Sequence, residues 1–413
     1  MKTIKLSLVI MAAALLTIGL GGMAYAFHAG GVADCAGCHS MHTPMGVHLL
    51  VASDASSTCL TCHESATDTG PNGFHVSTAQ ASLTTGTAPF QRGPGGDFAW
   101  LKKTYTTTSR SGVVSTEDGS THGHNIIAAD KGYAAGVANF SQAPGGSFLS
   151  SNLGCDSCHD PHGKGRRDSA GNYSTTGAPI IASGSTGTIP TAGQAVGLYR
   201  ILAWPGYNTA GQNFTSWPIA VSPSSYNATE ATNMVRIAYG GGSSVNGWGK
   251  WCGGCHLAIA NMTGFGTHPS HPVDKPITAP FATNYNTYVK SGLMDGSFSQ
   301  GGTPGPYTSL VPYQEATSDI ATLQGHARSN NLVLGGPTAT DEVTCYSCHR
   351  AHASGWINGL RWNNTTTFIV NNGVYPAEQG RTAPETQGAY YDRPPTVFAS
   401  FQRSLCNKCH AKD

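Results

Sequence analysis

Apolar residues form one long run near the N-terminus and are scattered in short groups along the rest of the chain. Helical spacing of apolar positions predicts short helices at residues 229–239, 281–291 and 316–323. No longer amphipathic helix and no sustained alternation of the kind found in strands is recognisable. Gly- and Pro-rich stretches such as Pro94-Gly95-Gly96 and Pro144-Gly145-Gly146 indicate turns. The pattern therefore predicts mostly loops and turns, with short helices and little β structure.

The N-terminal apolar run has the form of a secretory signal. Two lysines precede the run from Leu6 to Leu20, and the small-x-small sequence Ala24-Tyr25-Ala26 follows it. We expect cleavage before Phe27, so that residues 1–26 are a signal peptide. The run is short for a membrane-spanning helix, and no stable membrane span is expected after cleavage.

The composition leaves little apolar material for a core. The chain of 413 residues contains 53 Gly and 23 Pro, only 11% of its residues are charged, and its formal net charge is +1. Disordered chains combine low hydrophobicity with high net charge, which is absent here. A basic surface for nucleic acid is absent too, so no nucleic-acid partner is expected. A folded chain of this kind needs something besides side chains to complete its core.

Every cysteine belongs to one of six Cys-x-x-Cys-His motifs, the pattern of covalent haem attachment. In this chemistry two thiols form thioethers with the haem and the adjacent His is an axial ligand of the iron. Zinc sites and disulfides also use paired cysteines, but six copies with no cysteine left over favour six covalently attached haem c groups. The attachment residues are Cys35, Cys38, Cys59, Cys62, Cys155, Cys158, Cys252, Cys255, Cys345, Cys348, Cys406 and Cys409. The proximal ligands are His39, His63, His159, His256, His349 and His410.

Further histidines divide the chain into three similar units. The first, third and fifth motifs continue as Cys-x-x-Cys-His-x-x-His, and each is preceded by another His and followed by a plain motif. This order predicts three di-haem units, at residues 27–110, 111–310 and 311–413, that form one continuous haem-cored domain around a linear row of haems. The candidate distal ligands are His28, His42, His124, His162, His326 and His352.

Other histidines compete for some of these positions. His75 and either His268 or His271 follow plain motifs, whereas His48 and His122 have no counterpart in the repeat and are interpreted as non-ligands. In each unit, the upstream His is expected to ligate the haem of the plain motif. The predicted pairs are His28 with His63, His124 with His256, and His326 with His410.

The His after each extended motif offers a link between units. We expect it to ligate the corresponding haem one unit earlier, which pairs His162 with His39 and His352 with His159. The haem at His349 then lacks a distal ligand in its own chain, and His42 has no earlier haem to bind. Ligation of the His349 haem by His42 of a neighbouring subunit fills both vacancies. Such a head-to-tail contact does not close on itself and generates a filament.

Residues around the motifs resemble those of the OmcS-like hexahaem cytochromes of Geobacter-type bacteria. The resemblance is carried by the segments that begin FHAGGVA at Phe27, CDSCHDPHGK at Cys155, CHRAHASG at Cys348 and LCNKCHAKD at Leu405. Loops at about 176–225 and 270–315 are where we expect departures. The resemblance implies bis-His ligation, a continuous haem chain and polymerisation into secreted filaments at the cell surface. These filaments would carry electrons from periplasmic or outer-membrane cytochromes to metal oxides or other cells.

Two other functions fit part of the pattern. A multihaem reductase acting on nitrite, hydroxylamine or tetrathionate needs an iron with an open position. Here all six motifs end in His and candidate distal histidines are in surplus, so an electron-transfer protein is predicted rather than an enzyme. A monomeric periplasmic electron shuttle would share the haem set and would differ in not polymerising.

Overall fold

Short elements joined by long loops make up the computed structural model. It describes residues 35–67, 74–108, 111–134, 140–223, 230, 235–242, 247–263, 271–288, 306–328, 335–377 and 380–410. The expected signal peptide, His28 and His268 lie outside these residues. The part of the chain that the structure describes holds no helix with the length and hydropathy that a membrane crossing requires.

The α-helices are between four and nine residues long. They are α1 (Cys35–Cys38), α2 (Ala55–His63), α3 (Trp248–Cys252), α4 (Leu257–Ala260), α5 (Ala279–Thr287), α6 (Ile320–His326) and α7 (Ala383–Ala389). Single 3-10 turns lie at Val47–Leu49, Gln80–Ser82, Phe98–Lys102, Gly119–His122, Ala129–Lys131, Ser150–Asn152, Cys155–Ser157, Gly184–Thr186, Tyr199–Ile201, Cys345–Ser347, Ile357–Gly359, Pro395–Val397 and Leu405–Lys408.

Side-chain caps determine where several of these short helices begin. The Asp54 side chain accepts a hydrogen bond from the Ser57 N–H at the start of α2. Asp319 accepts one from Thr322 at the start of α6. At α7, Thr382 and Glu385 form a reciprocal capping box. Such caps satisfy N–H groups that a short helix otherwise leaves unpaired.

The strands have two to five residues and form four small sheets among the described residues. A parallel pair joins β1 (Glu64–Ser65) to β2 (Ser77–Thr78), and β3 (Thr104–Thr108) forms a hairpin with β4 (Val114–Asp118). The other strands are β5 (Arg166–Asp168), β6 (Tyr173–Ser174), β7 (Ile180–Ala182), β8 (Ala195–Gly197), β9 (Ile219–Val221), β10 (Ala238–Gly240) and β11 (Gln314–Glu315). The four-stranded sheet has the order β6-β5-β8-β7 and the three-stranded sheet the order β11-β10-β9.

The three helices predicted from the sequence agree with the structure to different extents. The one at 281–291 overlaps α5, which begins two residues earlier and ends at Thr287, and residues 289–291 lie outside the described part of the chain. The one at 316–323 overlaps α6, which begins four residues later. The helix at 229–239 is wrong where the structure describes it, because residues 238–240 are strand β10. That strand is buried and pairs with β9 on one side and β11 on the other, so tertiary pairing outweighs the local helical pattern.

Buried apolar side chains form four separate groups among the described residues. The largest is rich in aromatic rings and includes Trp100, Tyr285, Trp356 and Tyr390. A second is built around Trp248 and Trp251, and two smaller ones lie beside α6 and α2. Cysteines of the motifs pack against three of the four groups. The side chains therefore supply small cores that border the motifs.

Candidate haem-binding sites

Each Cys-x-x-Cys-His motif forms a single helical turn. The N–H of the His donates to the carbonyl of the first Cys in five motifs: 2.8 Å at His39, 3.0 Å at His159, 3.0 Å at His256, 2.9 Å at His349 and 3.0 Å at His410. The second motif is the end of α2. A turn of this kind brings both thiols and the imidazole to one side of the backbone, as attachment of one haem requires.

The proximal imidazoles are oriented by backbone carbonyls. Nδ1 lies within hydrogen-bond distance of a carbonyl oxygen in five of them, at 2.9 Å for His39, 2.7 Å for His63, and 2.9 Å for each of His159, His256 and His349. An Nδ1–H that donates to a carbonyl leaves Nε2 unprotonated, the form in which an imidazole binds iron. The accepting residues are His48, Phe74, Arg200, Pro144 and Asn358.

A tight turn follows each extended motif and supplies the carbonyl. The central residues of this turn have positive φ: 58° and 60° at His48-Leu49, 52° and 49° at Arg200-Ile201, and 59° and 64° at Asn358-Gly359. The leucine after the turn forms an isolated antiparallel β-bridge with the proximal His. The bridged pairs are His39 with Leu50, His159 with Leu202 and His349 with Leu360. The three turns are thus copies of one design.

Sequence reasoning missed these turns, although two signals were present. Asn358-Gly359 is the dipeptide most typical of this turn type. The leucine follows the proximal His by eleven residues in both the first and the last copy. In the middle copy the interval is 43 residues, because the four-stranded sheet β5–β8 is inserted between His159 and its turn.

Among the described residues, three pairs of imidazoles lie at a distance that fits a shared metal. Two imidazoles bound to one metal from opposite sides, at about 2 Å each, have ring centroids roughly 6 Å apart. The observed separations are 6.4 Å for His39 and His162, 6.0 Å for His124 and His256, and 6.2 Å for His271 and His410. The first two are pairs that the sequence predicts.

The third pair contains His271, which the sequence left as an alternative, in place of His326. Helix α5 packs on the sixth motif: the Phe281 ring meets His410 at 5.5 Å, and Asn284 donates to the Cys409 carbonyl at 2.9 Å. This packing brings the start of the segment 271–288 to the motif.

His326 lies at the end of α6, which packs against β9 and β10. Its Nδ1 is 2.7 Å from Glu315 Oε2, and its side chain is 48% exposed. The structure therefore does not bring His326 to His410.

His124 and His352 lie side by side. The His124 N–H donates to the His352 carbonyl at 2.9 Å, and Nδ1 of His124 is 2.6 Å from the Ala351 carbonyl oxygen. Burial lowers the pKa of His124. Burial, with His159 as the first of the charged neighbours, lowers the pKa of His352 to about 3. Both imidazoles are therefore neutral at pH 7, as iron ligands must be, and His352 lies near its predicted partner.

The two Pro-Gly-Gly sequences are close-approach points rather than simple turns. A Cβ on Gly96 would lie 1.9 Å from the Ala353 carbonyl oxygen, and one on Gly146 would lie 1.7 Å from the Cys255 carbonyl oxygen. Each sequence therefore places backbone directly against a haem-motif segment, and the Pro144 carbonyl beside Gly146 accepts from His256.

The remaining histidines occupy distinct environments. His42 is exposed, between Met41 and Met45, which are 76% and 70% exposed. His75 is half-buried, and its neighbour Phe74 provides the carbonyl for His63. His122 is fully buried and stacks on Tyr105 at 3.7 Å. His48 contributes its backbone carbonyl, as described above.

The six motifs adjoin one another in chain order. The cysteines carry free thiols in this structure, where thioether sulfurs would stand in the haem-bound protein. A hydrogen bond to the next motif's thiol raises the pKa of Cys59 and Cys252, and burial, then the next motif's thiols, raises that of Cys38, Cys158 and Cys348. The adjoining pairs are Cys38 with Cys59, Cys59 with Cys155, Cys158 with Cys255, Cys252 with Cys345, and Cys348 with Cys406.

Some buried polar atoms suit the carboxylates of a haem. Lys102 Nζ is enclosed and has no hydrogen-bond partner among the described residues, and burial lowers its pKa. Arg92 Nε is likewise enclosed without a partner in the described part of the chain, although Nη2 of the same guanidinium pairs with Asp392. Buried cationic donors are costly unless paired, and propionates would pair them. The donor set and these atoms fit haem.

Helical Cys-x-x-Cys-His turns, carbonyl-oriented proximal imidazoles and imidazole pairs about 6 Å apart define a multihaem c-type cytochrome. The chain is 44% identical to "C-type cytochrome OmcS" of Geobacter sulfurreducens over 446 aligned residues, which cover all of both chains. It therefore belongs to the OmcS family of c-type cytochromes. No family model matches the chain.

Solved structures of that relative have the same fold. A cryo-EM structure of OmcS nanowires from Geobacter sulfurreducens superposes on this chain with a TM-score of 0.83 at 42% identity. The match covers 94% of this chain and all of the OmcS chain. A structure of the outer-membrane cytochrome S filament of the same organism gives the same TM-score at 43% identity and the same coverage. The expected fold class, a mostly loop-built multihaem cytochrome with short helices, is confirmed.

Proposed function

We propose that this chain carries six covalent haem c groups and conducts electrons along them as a subunit of an extracellular filament. The observation that carries the proposal is the sequential order of the motifs, each of which adjoins the next. Consecutive haems attached there would form an unbroken row. The relatives of known structure are nanowires and filaments. Electrons would enter from periplasmic or outer-membrane cytochromes and leave to metal oxides or cells.

The chain's own residues perform three tasks in this mechanism. Bound haem supplies an iron that alternates between the ferric and ferrous states. The cysteines fix each macrocycle covalently, and the carbonyl bonds to Nδ1 hold each proximal ring in one orientation and tautomer. A second His on each iron keeps the coordination the same in both oxidation states, so little rearrangement accompanies each transfer.

The distal ligand set is the predicted one with a single replacement. His162, His352 and His124 would ligate the irons of His39, His159 and His256. For the iron of His410, we assign His271 in place of His326, because the rings of His271 and His410 lie 6.2 Å apart.

We assign the iron of His63 to His28 rather than His75. The Phe74 carbonyl lies at the Nδ1 of His63, which points away from the iron, and this places the next residue, His75, on the proximal side. A distal ligand must approach from the opposite face of the haem.

The haem at His349 would receive His42 from a neighbouring subunit. The exposure of His42 and of the methionines beside it supports this role, because large exposed apolar side chains mark contact surfaces. The contact is head-to-tail and would extend the haem row across each subunit junction. The three copies of the turn after the extended motifs support the division into three di-haem units.

Replacement of His42 by Ala tests the junction. We expect loss of filaments by electron microscopy and one high-spin haem of six in the electron paramagnetic resonance spectrum of the ferric protein. His48→Asn is the matched control, because His48 is also exposed and Asn tolerates its positive φ. Intact filaments with six low-spin haems in His42→Ala would refute the assignment. A high-spin haem in the unmodified protein would instead favour a reductase.

A further inference from the structure

A buried group of charges lies beside the fifth motif, and the electron-transfer path does not use it directly. The Glu230 cluster consists of Glu230, Arg350, Arg361 and Arg393, which are between 1% and 3% exposed. Oε2 of Glu230 accepts hydrogen bonds from both Arg350 and Arg361, the latter at 2.9 Å. Buried charges of this kind are costly to maintain, so their position needs a reason.

Two of the arginines are built into the haem-attachment segment. Arg350 directly follows the proximal ligand His349. The Arg361 N–H donates to the Cys348 carbonyl at 2.8 Å, and its Nε lies 3.2 Å from the His349 carbonyl oxygen. These contacts fix a guanidinium next to the peptide that holds the fifth haem.

The positive charge in the cluster exceeds the negative charge. Arg350 and Arg361 share a single carboxylate oxygen. The other donors of Arg361 go to backbone carbonyls, to Ser309 at 2.9 Å and Pro94 at 3.5 Å. Arg393 adds a third guanidinium, which donates to Ser309 Oγ at 2.6 Å. Since the N–H donors of Arg361 are engaged by Glu230 and by backbone carbonyls, they are not available to bind a haem propionate.

We propose that Arg350, Arg361 and Glu230 raise the reduction potential of the haem attached at His349 and set how far it is raised. The proposal rests on the proposed function, because it requires haem at this motif. Oxidation adds a positive charge to the iron. A fixed positive charge nearby in a medium of low dielectric constant therefore favours the ferrous state. Glu230 moderates the effect by cancelling one guanidinium charge.

Charge substitutions give opposite signs and so separate this role from a structural one. In filaments of the full chain, Glu230→Gln should raise the midpoint potential of one haem of six, and Arg361→Gln should lower it. The double variant restores the net charge and should return the potential towards that of the unmodified protein. Arg361→Lys keeps the charge, changes the geometry and should shift the potential least. Spectroelectrochemical titration measures all four.

The haem concerned can be identified in a His42→Ala background. There the His349 haem is expected to be the high-spin one, so titration of the high-spin resonance reports its potential alone. Shifts of one sign in both single variants, or none, would overturn the proposal. If Glu230→Gln fails to fold, Arg361→Gln and the double variant still decide the sign. Haem content and the presence of a high-spin signal, measured first, reveal failure of the proposed function separately.

Discussion

The first and fifth haem motifs share a backbone design and have opposite surroundings. In both, a turn of two residues with positive φ orients the proximal imidazole, and a leucine eleven residues after the His bridges back to it. Around His39 the segment is exposed and carries Met41 and Met45. After His349 the segment contributes the buried side chains of Arg350, Trp356 and Arg361. Local geometry thus establishes the attachment site in both copies, and the packing of the segment that follows the proximal His differs between them.

The largest expected difference concerns loss of the haem itself. Cys345→Ala with Cys348→Ala removes the fifth haem, whose motif packs against the largest aromatic core, so the chain should not accumulate as a folded protein. Cys35→Ala with Cys38→Ala removes the first haem from an exposed segment, and a five-haem protein should accumulate. Haem-stained gels and intact mass measure both outcomes. Equal accumulation of the two variants would contradict the comparison.

Acid should act on the fifth-motif side through His122. This imidazole is fully buried, with Nδ1 3.2 Å from the Ser354 carbonyl oxygen and Nε2 3.7 Å from Glu117 Oε1. Burial, then Arg381, lowers its pKa from 6.5 to about 3. The unfolded chain therefore binds a proton that the folded chain does not as the pH falls from 6.5 towards 3. Stability is lost in that window, at up to about 1.4 kcal/mol per pH unit.

His122→Phe keeps a ring against Tyr105 and removes the titration. Its unfolding free energy should fall less steeply between pH 6.5 and 4 than that of the unmodified protein, as measured by denaturant unfolding at a series of pH values. Identical slopes would show that His122 does not carry this acid sensitivity.

A smaller effect should come from the backbone contact that holds the fifth-motif loop. Gly96→Ala should destabilise the protein by about 3 kcal/mol, because φ is 86° and the new methyl would meet the Ala353 carbonyl. Gly93→Ala, three residues earlier, has open space around it and is the control. Thermal unfolding measures both, and similar losses in the two variants would argue against a close approach at Gly96.

The sequence predicted the chemistry of the sites better than their positions. Haem attachment is local, because two thiols and the proximal imidazole lie within five residues, so the motifs could be recognised directly. The pairs His39 with His162 and His124 with His256 followed from the repeat.

The proximity of His271, rather than His326, to His410 could not be predicted from the sequence, because it depends on how α5 packs on the sixth motif. Strand β10 was not predicted for a similar reason, because it is formed by pairing with β9 and β11, which are not adjacent to it in sequence. His48-Leu49 and Arg200-Ile201 lack the residues typical of their turn, and only Asn358-Gly359 showed it.

The four-stranded sheet inserted after His159 has a consequence for how such a protein can be altered. The insertion leaves from one side of a fixed bridge, between His159 and Leu202, and returns to the other. Its hairpin tip at Gly171 has open space around it. A peptide tag or a foreign domain grafted there would decorate the surface, while the spacing of attachment site and turn stayed as it is. The surface of such a protein can therefore vary in sequence and length while the arrangement of its haem-attachment sites stays the same.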